Sequence, residues 1–366
     1  MRTRAAVLHQ PGQPLDFEEL TVLPPRAGEV LVRYAASGVC HSDLHHIQGK
    51  VPWPVPVVLG HEGAGVVESV GPGVSAAGVG DHVLTSYNPS CGRCPYCTVG
   101  RGNLCDLRDR PRHLMPDGTA RFRAGDDTEV FHYLQVSSFA ERAVLPEPSV
   151  IPIRKDAPLD VICLVSCGVT AGAGAVINRA RVVPGSSVAV FGAGGVGLNA
   201  IQAAALMGAA RIIAVDVFPR KLDAAQEFGA THLVNAETED PVARIQQICG
   251  RGGADYAIEA VGGARTIEQA VQSVHRGGTV VVIGVSPAGT RISVDPGLLL
   301  QERVLTGSSF GGSRQRVDLP MFVDLFMDGR YKLRELISRQ IDLKELNHAY
   351  ELLERGEIRR SVIVYS

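Results

Sequence analysis

Four of the chain's eight cysteines, Cys91, Cys94, Cys97 and Cys105, fall within fifteen residues at the spacing C-x2-C-x2-C-x7-C. Thiolates two residues apart can converge on one tetrahedral ion, and four of them close its coordination shell. Such an ion stabilises a lobe and leaves no position for water or a substrate. Gly92, Gly100 and Gly102 let the loop turn sharply around it. An iron–sulfur cluster is one rival, but the near fourth cysteine with no proline after it favours zinc. A small zinc module on nucleic acid is another. Arg93, Arg101, Arg108 and Arg110 are interspersed with Asp106 and Asp109, however, which reads as a solvated lobe. Disulfides are disfavoured, because the other cysteines are scattered and no apolar segment of a secretory signal follows "MRTR". A cytoplasmic setting is the expectation.

A second group has open-site chemistry. "GVCHSDLHH" carries Cys40, His41, Ser42, Asp43, His45 and His46; "VLGHEGAGVV" carries His61 and Glu62; "VSCGVTAG" carries Cys167. Two thiolates and one imidazole suit a zinc ion with its fourth position free, which is a catalytic arrangement. Taken singly, each has a plainer reading: Cys40 or Cys167 as a small buried core residue, His61 as a hydrogen-bonded core histidine.

The third candidate is "VAVFGAGGVGLNAI", with G-x-G-x-x-G at Gly192, Gly194 and Gly197. A β-rich run precedes it, a helical pattern follows, and Asp216 ends the next strand-like run nineteen residues after Gly197. Here Gly192 allows the tight turn, Gly194 the approach of a pyrophosphate, and Gly197 the close packing of helix on strand. An acidic residue at Asp216 would bond ribose hydroxyls and repel a 2′-phosphate, favouring NAD over NADP. A plain strand–helix turn is the alternative.

The elements that must position these groups follow from pattern. The chain has 366 residues, 45% hydrophobic and 20% charged, with net charge −2. That length suggests two domains, and that charge gives no general attraction to nucleic acid or membrane. The uncharged run Val182–Ala210 is broken by Pro184 and several glycines, so it reads as strand, turn and helix instead of a membrane span. Short β-like runs such as "EVLVRYAASGV" fill the first 150 or so residues and predict an irregular antiparallel domain. From about residue 165, apolar runs ("SVAVFG", "RIIAVD", "ADYAIEAVG", "TVVVIGV") alternate with amphipathic helical patterns. This predicts a parallel sheet covered on both faces. After about residue 312 two helices and a last strand, "RRSVIVYS", suggest a return to the first domain.

Together "GVCHSD", "GHEGAGVV", the cysteine lobe, "SCGVTAG", "GAGGVG" with Asp216, and "GEIRRS" resemble the zinc-dependent medium-chain alcohol dehydrogenases along essentially the whole chain. The resemblance implies an α/β protein. A GroES-like irregular β domain would span 1–168 and 313–366, with the lobe at 91–105, and a Rossmann doubly wound parallel sheet would span 169–312. It implies a catalytic zinc on Cys40, His61 and Cys167 and a structural one on Cys91, Cys94, Cys97 and Cys105. Asp43 would hold the His61 ring and Glu62 would lie beside the metal. Ser42 and His45 would carry the alcohol proton to solvent, while His46 would be a surface residue. For NAD the resemblance implies Gly192, Gly194, Gly195, Val196, Gly197, Asp216, Lys221, Ile283, Val285 and Arg360. His41 stands where many members have an arginine contacting the pyrophosphate, and Ala171 where some have a hydroxyl.

Val51, Trp53, Tyr87, Tyr133, Leu134 and Ile283 would line the pocket, favouring oxidation of medium-sized aliphatic or aromatic primary alcohols. A thiol-adduct-dependent formaldehyde dehydrogenase is the alternative; no clear anion clamp for its carboxylate stands out, although Arg121 and Arg123 could be argued. A zinc-independent reductase or binding protein on the same fold stands behind both. The family's dimers or tetramers pair sheet edges of the cofactor domain, for which "GTVVVIGV" followed by "RISVD" could serve.

Overall fold

The computed structural model describes residues 1–365. The chain divides into two compact units, Met1–Cys167 with Arg314–Ser366, and Gly168–Ser313.

In the first unit, strands Arg2–Leu8, Asp16–Val22, Phe122–Arg123, Glu129–His132 and Val57–Val58 close a small barrel in that order. A seven-stranded sheet stands beside it. Its path runs Val150–Pro152, His82–Thr85, Glu62–Val70, Glu29–Gly38, Arg360–Val364 and Ile337–Ile341, and Arg142–Pro146 also pairs with Glu29–Gly38. Val30, Val32, Tyr34, Val67, Val144 and Leu145 are almost wholly buried, because both faces of the central strand are covered. The C-terminal strand enters beside that central strand: Val362 pairs with Gly38 and Ile363 with Ser37. The chain therefore does return to its first domain.

In the second unit six parallel strands run in the order His232–Asn235, Arg211–Asp216, Ser187–Phe191, Ala254–Glu259, Val274–Val282, Val304–Gly307. Numbered along this unit the order is 3-2-1-4-5-6, that of a dinucleotide-binding Rossmann sheet. The inner strands Ser187–Phe191 and Arg211–Asp216 are largely buried because helices cover the sheet, among them Gly195–Leu206, Pro219–Glu227, Pro241–Cys249 and Ala264–Ser273. Helix starts follow local chemistry: the Asp240 carboxylate accepts from the Val242 N–H, and Pro241 occupies the first helical position.

One expectation changes. "GTVVV" lies inside the sheet, paired on both sides, and "RISVD" forms no strand; the edge strands are His232–Asn235 and Val304–Gly307. A residue pattern cannot tell an inner parallel strand from an edge. Helix Ala264–Ser273 passes directly into strand Val274–Val282 without a loop between. Among the described residues no single helix is long and apolar enough to cross a membrane.

Candidate active site

Cys40 ends an extended segment and caps the one-turn-plus helix His41–Ile47, so Ser42, Asp43, His45 and His46 emerge on consecutive faces just beyond it. His61 and Glu62 sit where strand Glu62–Val70 begins, and Cys167 follows the tight turn Cys163–Ser166. These separate segments bring donor atoms of Cys40, His61, Glu62 and Cys167 within 4.8 Å of one another, all buried. His61 Nε2 lies 3.3 Å from Cys167 Sγ. Zinc–sulfur and zinc–nitrogen bonds meeting at a tetrahedral angle would set that separation at about 3.6 Å, so the residues fit a zinc ion. His61 Nδ1 meets Asp43 Oδ1 at 2.9 Å, which leaves Nε2 as the ligand atom. The Ser42 hydroxyl donates to Cys40 Sγ at 3.1 Å and lies 3.3 Å from His61 Nε2.

The electrostatics suit a dication. The hydrogen bond between the two thiols is the largest influence on each; it pulls Cys40 well below its ordinary range and pushes Cys167 up. Burial pushes Glu62 up to about 7, opposed by the Arg360 guanidinium. That guanidinium bonds Glu62 Oε2 in a buried ion pair, while Glu62 Oε1 and Asp43 Oδ2 have no hydrogen-bond partner. The charge of Arg360, expected on the cofactor pyrophosphate, is thus already engaged by Glu62. His41 is exposed at the start of its helix, and His45 is half-buried one turn after Ser42.

The other cluster is self-contained. Cys91, Cys94, Cys97 and Cys105 place their sulfurs within 4.8 Å of one another, and Cys91 Sγ lies 4.0 Å from Cys97 Sγ. Two sulfurs on one tetrahedral zinc would stand about 3.8 Å apart. Backbone N–H groups already point at the sulfurs: Asp106 foremost holds Cys94 down at about 6, while burial drives Cys105 up to about 12.

Aromatic rings wall the first cluster. Tyr87 packs 5.3 Å and Tyr133 5.8 Å from the His61 ring, both edge-on. Trp53 stands 5.0 Å from Tyr133, and its Nε1–H donates to the His132 carbonyl at 3.0 Å. Leu134 is buried and Val51 is exposed. The loop carrying Tyr133 holds Leu134, Gln135 and Ser137 at φ of 55°, 58° and 51°. Three non-glycine residues in the left-handed region store strain, as at many functional sites.

One sequence expectation fails here, and one arguable reading falls away. His46 is not a surface residue: it is 8% exposed, bonds the Val51 carbonyl at 2.8 Å and packs 4.9 Å from Tyr133. A run of polar residues on a short helix conceals which face is covered. Arg121 is no anion clamp: it is fully buried and bonds Glu29 at 2.6 Å and Asp117 at 2.7 Å, while Arg123 pairs with Glu129 at 3.3 Å. A cation the sequence reading did not single out is Arg112: it is half-buried, and its Nη1 donates to the Tyr87 backbone carbonyl at 2.6 Å. Nothing in "RDRPRH" sets it apart from its neighbours.

In the second unit Gly192 takes φ 93°, and Gly194 caps the helix Gly195–Leu206. A Cβ on Gly197 would lie 1.7 Å from the Gly192 carbonyl oxygen, so helix and turn require glycine there. Val196 is half-buried on the first turn. Asp216 accepts from the Ala193 N–H at 2.8 Å and the Phe218 N–H at 3.0 Å, and Lys221 Nζ lies 4.0 Å away. Ile283 is half-buried and Val285 exposed just beyond strand Val274–Val282. The residues fit a dinucleotide at a helix N-terminus with an acidic partner for its ribose.

A Rossmann sheet with this turn, a barrel-and-sheet unit with an open thiolate–imidazole cluster, and a closed four-thiolate lobe define a zinc-dependent nicotinamide dehydrogenase. Residues 26–155 match the model of the alcohol dehydrogenase GroES-like domain, and residues 195–326 that of the zinc-binding dehydrogenase domain. The chain is 44% identical to S-(hydroxymethyl)glutathione dehydrogenase of Paracoccus denitrificans, over 100% of both. It is equally 44% identical to alcohol dehydrogenase class-3 of Cereibacter sphaeroides, again over 100% of both. Benzyl alcohol dehydrogenase from Acinetobacter calcoaceticus superposes with a TM-score of 0.95 at 34% identity, over 100% of both chains. The chain belongs to the zinc-dependent medium-chain alcohol dehydrogenase family. Its cofactors are NAD and zinc, with donor sets for two zinc ions.

Proposed function

We propose that the protein oxidises a primary hydroxymethyl group with NAD as hydride acceptor, and that the hydroxymethyl group is the one formaldehyde forms on a thiol. The main support is the end-to-end identity of 43–44% with relatives named for S-(hydroxymethyl)glutathione. Removal of a hydride from carbon and a proton from oxygen converts R–S–CH2–OH to the S-formyl thiol. The site carries groups for each part. Bound by Cys40, His61 and Cys167, zinc would supply the positive charge that favours the deprotonated oxygen. Ser42 Oγ, beside Cys40 and His61, accepts that proton, and His45 passes it to solvent. Asp43 holds the His61 ring, and Asp216 selects NAD by its charge. Arg112, which bonds the carbonyl of the wall residue Tyr87, supplies a cation for a carboxylate on the thiol.

A second reading has an observation of its own. Trp53, Tyr87, Tyr133 and His46 form an aromatic wall around His61, which suits a ring-bearing alcohol such as benzyl alcohol. Steady-state rates decide between them. The proposal expects kcat/KM for S-hydroxymethylglutathione with NAD to exceed that for benzyl alcohol by at least tenfold; the reverse order would establish the aromatic alcohol instead.

A further inference from the structure

The Rossmann unit carries an open polar pocket of about 650 Å³ whose lining includes Gln246, Arg251, His275, Arg276, Gln301 and Arg303, with His275 and Arg303 half-buried and the others exposed. Its place in the sheet separates it from the cofactor turn. Gly192 follows the carboxyl end of strand Ser187–Phe191. Arg251 precedes strand Ala254–Glu259, His275 and Arg276 begin strand Val274–Val282, and Arg303 precedes strand Val304–Gly307. All four therefore sit at the amino ends of parallel strands, the end that nucleotide ligands of such sheets do not use.

The charge here is uncompensated. Among the described residues, Arg251, Arg276 and Arg303 form no ion pair, and no carboxylate lines the cavity. The nearest acid on these strands, Asp255, is committed: one oxygen meets His275 Nε2 at 2.9 Å and the other accepts from the Ser187 N–H and hydroxyl. Glu302 is exposed and is not part of the lining. Arg303 is half-buried, held by its Nε bond to the His275 carbonyl at 3.3 Å, and both burial and the charge of Arg276 lower its pKa. Like charges gathered round a cavity without a counter-ion have a standing preference for an anion.

We infer that this cavity binds a small organic phosphate with more than one phosphoryl group. Guanidinium forks match phosphate oxygens in pairs, and the volume exceeds what one phosphate needs. The chain's redox chemistry does not require the site, so its ligand acts from outside the reaction.

The test uses the zinc-loaded enzyme saturated with NAD, so that the cofactor turn is filled. Fructose 1,6-bisphosphate is titrated calorimetrically, with fructose as the neutral control. Saturable binding of one molecule per chain is expected, weakening steeply with salt. Arg276→Gln and Arg303→Gln should each raise Kd about tenfold, equivalent to about 1.4 kcal/mol, with NAD affinity unchanged. Arg251→Gln, at an exposed position, gives the same readout if Arg303→Gln folds poorly. No saturable binding, binding abolished by NAD, or a Kd unmoved by Arg276→Gln and Arg251→Gln would each overturn the assignment.

Discussion

Asp43 Oδ1 lies 2.9 Å from His61 Nδ1 with both side chains buried, so a carboxylate with no exposed surface fixes the tautomer of an imidazole whose other nitrogen faces the Cys167 sulfur. The Gly60 N–H also points at that oxygen, at 3.3 Å. Asp43→Asn keeps the shape and removes the charge. It should weaken zinc at the catalytic site about 10- to 100-fold, measured by competition with a chromophoric chelator, while the cysteine lobe keeps its ion.

The two zinc sites should separate cleanly. Purified protein should contain two zinc ions per chain, and Cys40→Ser and Cys94→Ser should each contain one. Cys40→Ser should abolish turnover with little change in melting temperature. Cys94→Ser should lower that temperature by about 5 °C or more. Metal analysis beside thermal unfolding checks both, and a Cys40→Ser protein that keeps both ions would remove Cys40 from the ligand set.

Arg112 bears on substrate choice. Arg112→Ala should raise KM for S-hydroxymethylglutathione about tenfold, the worth of roughly 1.4 kcal/mol, and leave benzyl alcohol within about twofold. Equal losses on both would mean that Arg112 only supports the Tyr87 backbone.

Asp216→Ala should narrow the preference for NAD over NADP. It removes the charge that opposes a 2′-phosphate while also freeing the Ala193 N–H. The ratio of kcat/KM for the two cofactors should fall about tenfold or more, and an unchanged ratio would place the discrimination elsewhere.

The buried Arg121 gives a pH dependence. Burial alone would raise the pKa of Asp117, but bonds from Arg121, Thr119 and Arg26 outweigh it and hold the carboxyl well below the ordinary range. A depressed folded pKa contributes stability above the unfolded value of about 3.9 that disappears as pH falls through the folded one. Wild type should therefore be more stable than Asp117→Asn near pH 7, and the gap should narrow below about pH 4. Urea unfolding at the two pH values reads it. Glu29, nearly as buried as Arg121, matters more: Glu29→Gln should cost about 3 kcal/mol, because it leaves the buried Arg121 with the half-exposed Asp117 as its remaining counter-charge.

The cysteine lobe and the dinucleotide turn were legible because they depend on residue type at short spacing, whereas Cys40, His61 and Cys167 lie far apart in the chain and were grouped only by the family resemblance. C-x2-C-x2-C and G-x-G-x-x-G state their geometry locally, and the alternation after residue 165 states a covered parallel sheet. What pattern could not carry was the direction of individual long side chains. Arg121 and Arg112 stand in similar surroundings in the chain, yet one is locked among Glu29 and Asp117 and the other reaches the Tyr87 carbonyl. The left-handed residues Leu134, Gln135 and Ser137 were equally hidden, since no glycine marks them. Tertiary bonds hold them there: Tyr34 donates to the Val136 carbonyl at 2.7 Å and Gln135 to the Leu114 carbonyl at 2.7 Å.

The strand Arg360–Val364 has a consequence in time. It fills the position between Glu29–Gly38 and Ile337–Ile341, and it carries the guanidinium that neutralises Glu62 from 298 residues away. During synthesis the ribosome releases the entire Rossmann segment before that strand exists. The cofactor unit is contiguous and can fold as it emerges. The metal-binding unit must wait with its sheet split and its buried carboxylate unmatched. A nascent chain stalled before residue 360 should therefore already bind dinucleotide while its catalytic cluster is still unassembled, so assembly of this enzyme runs from cofactor to metal, opposite to the order in which its ligands first appear along the chain.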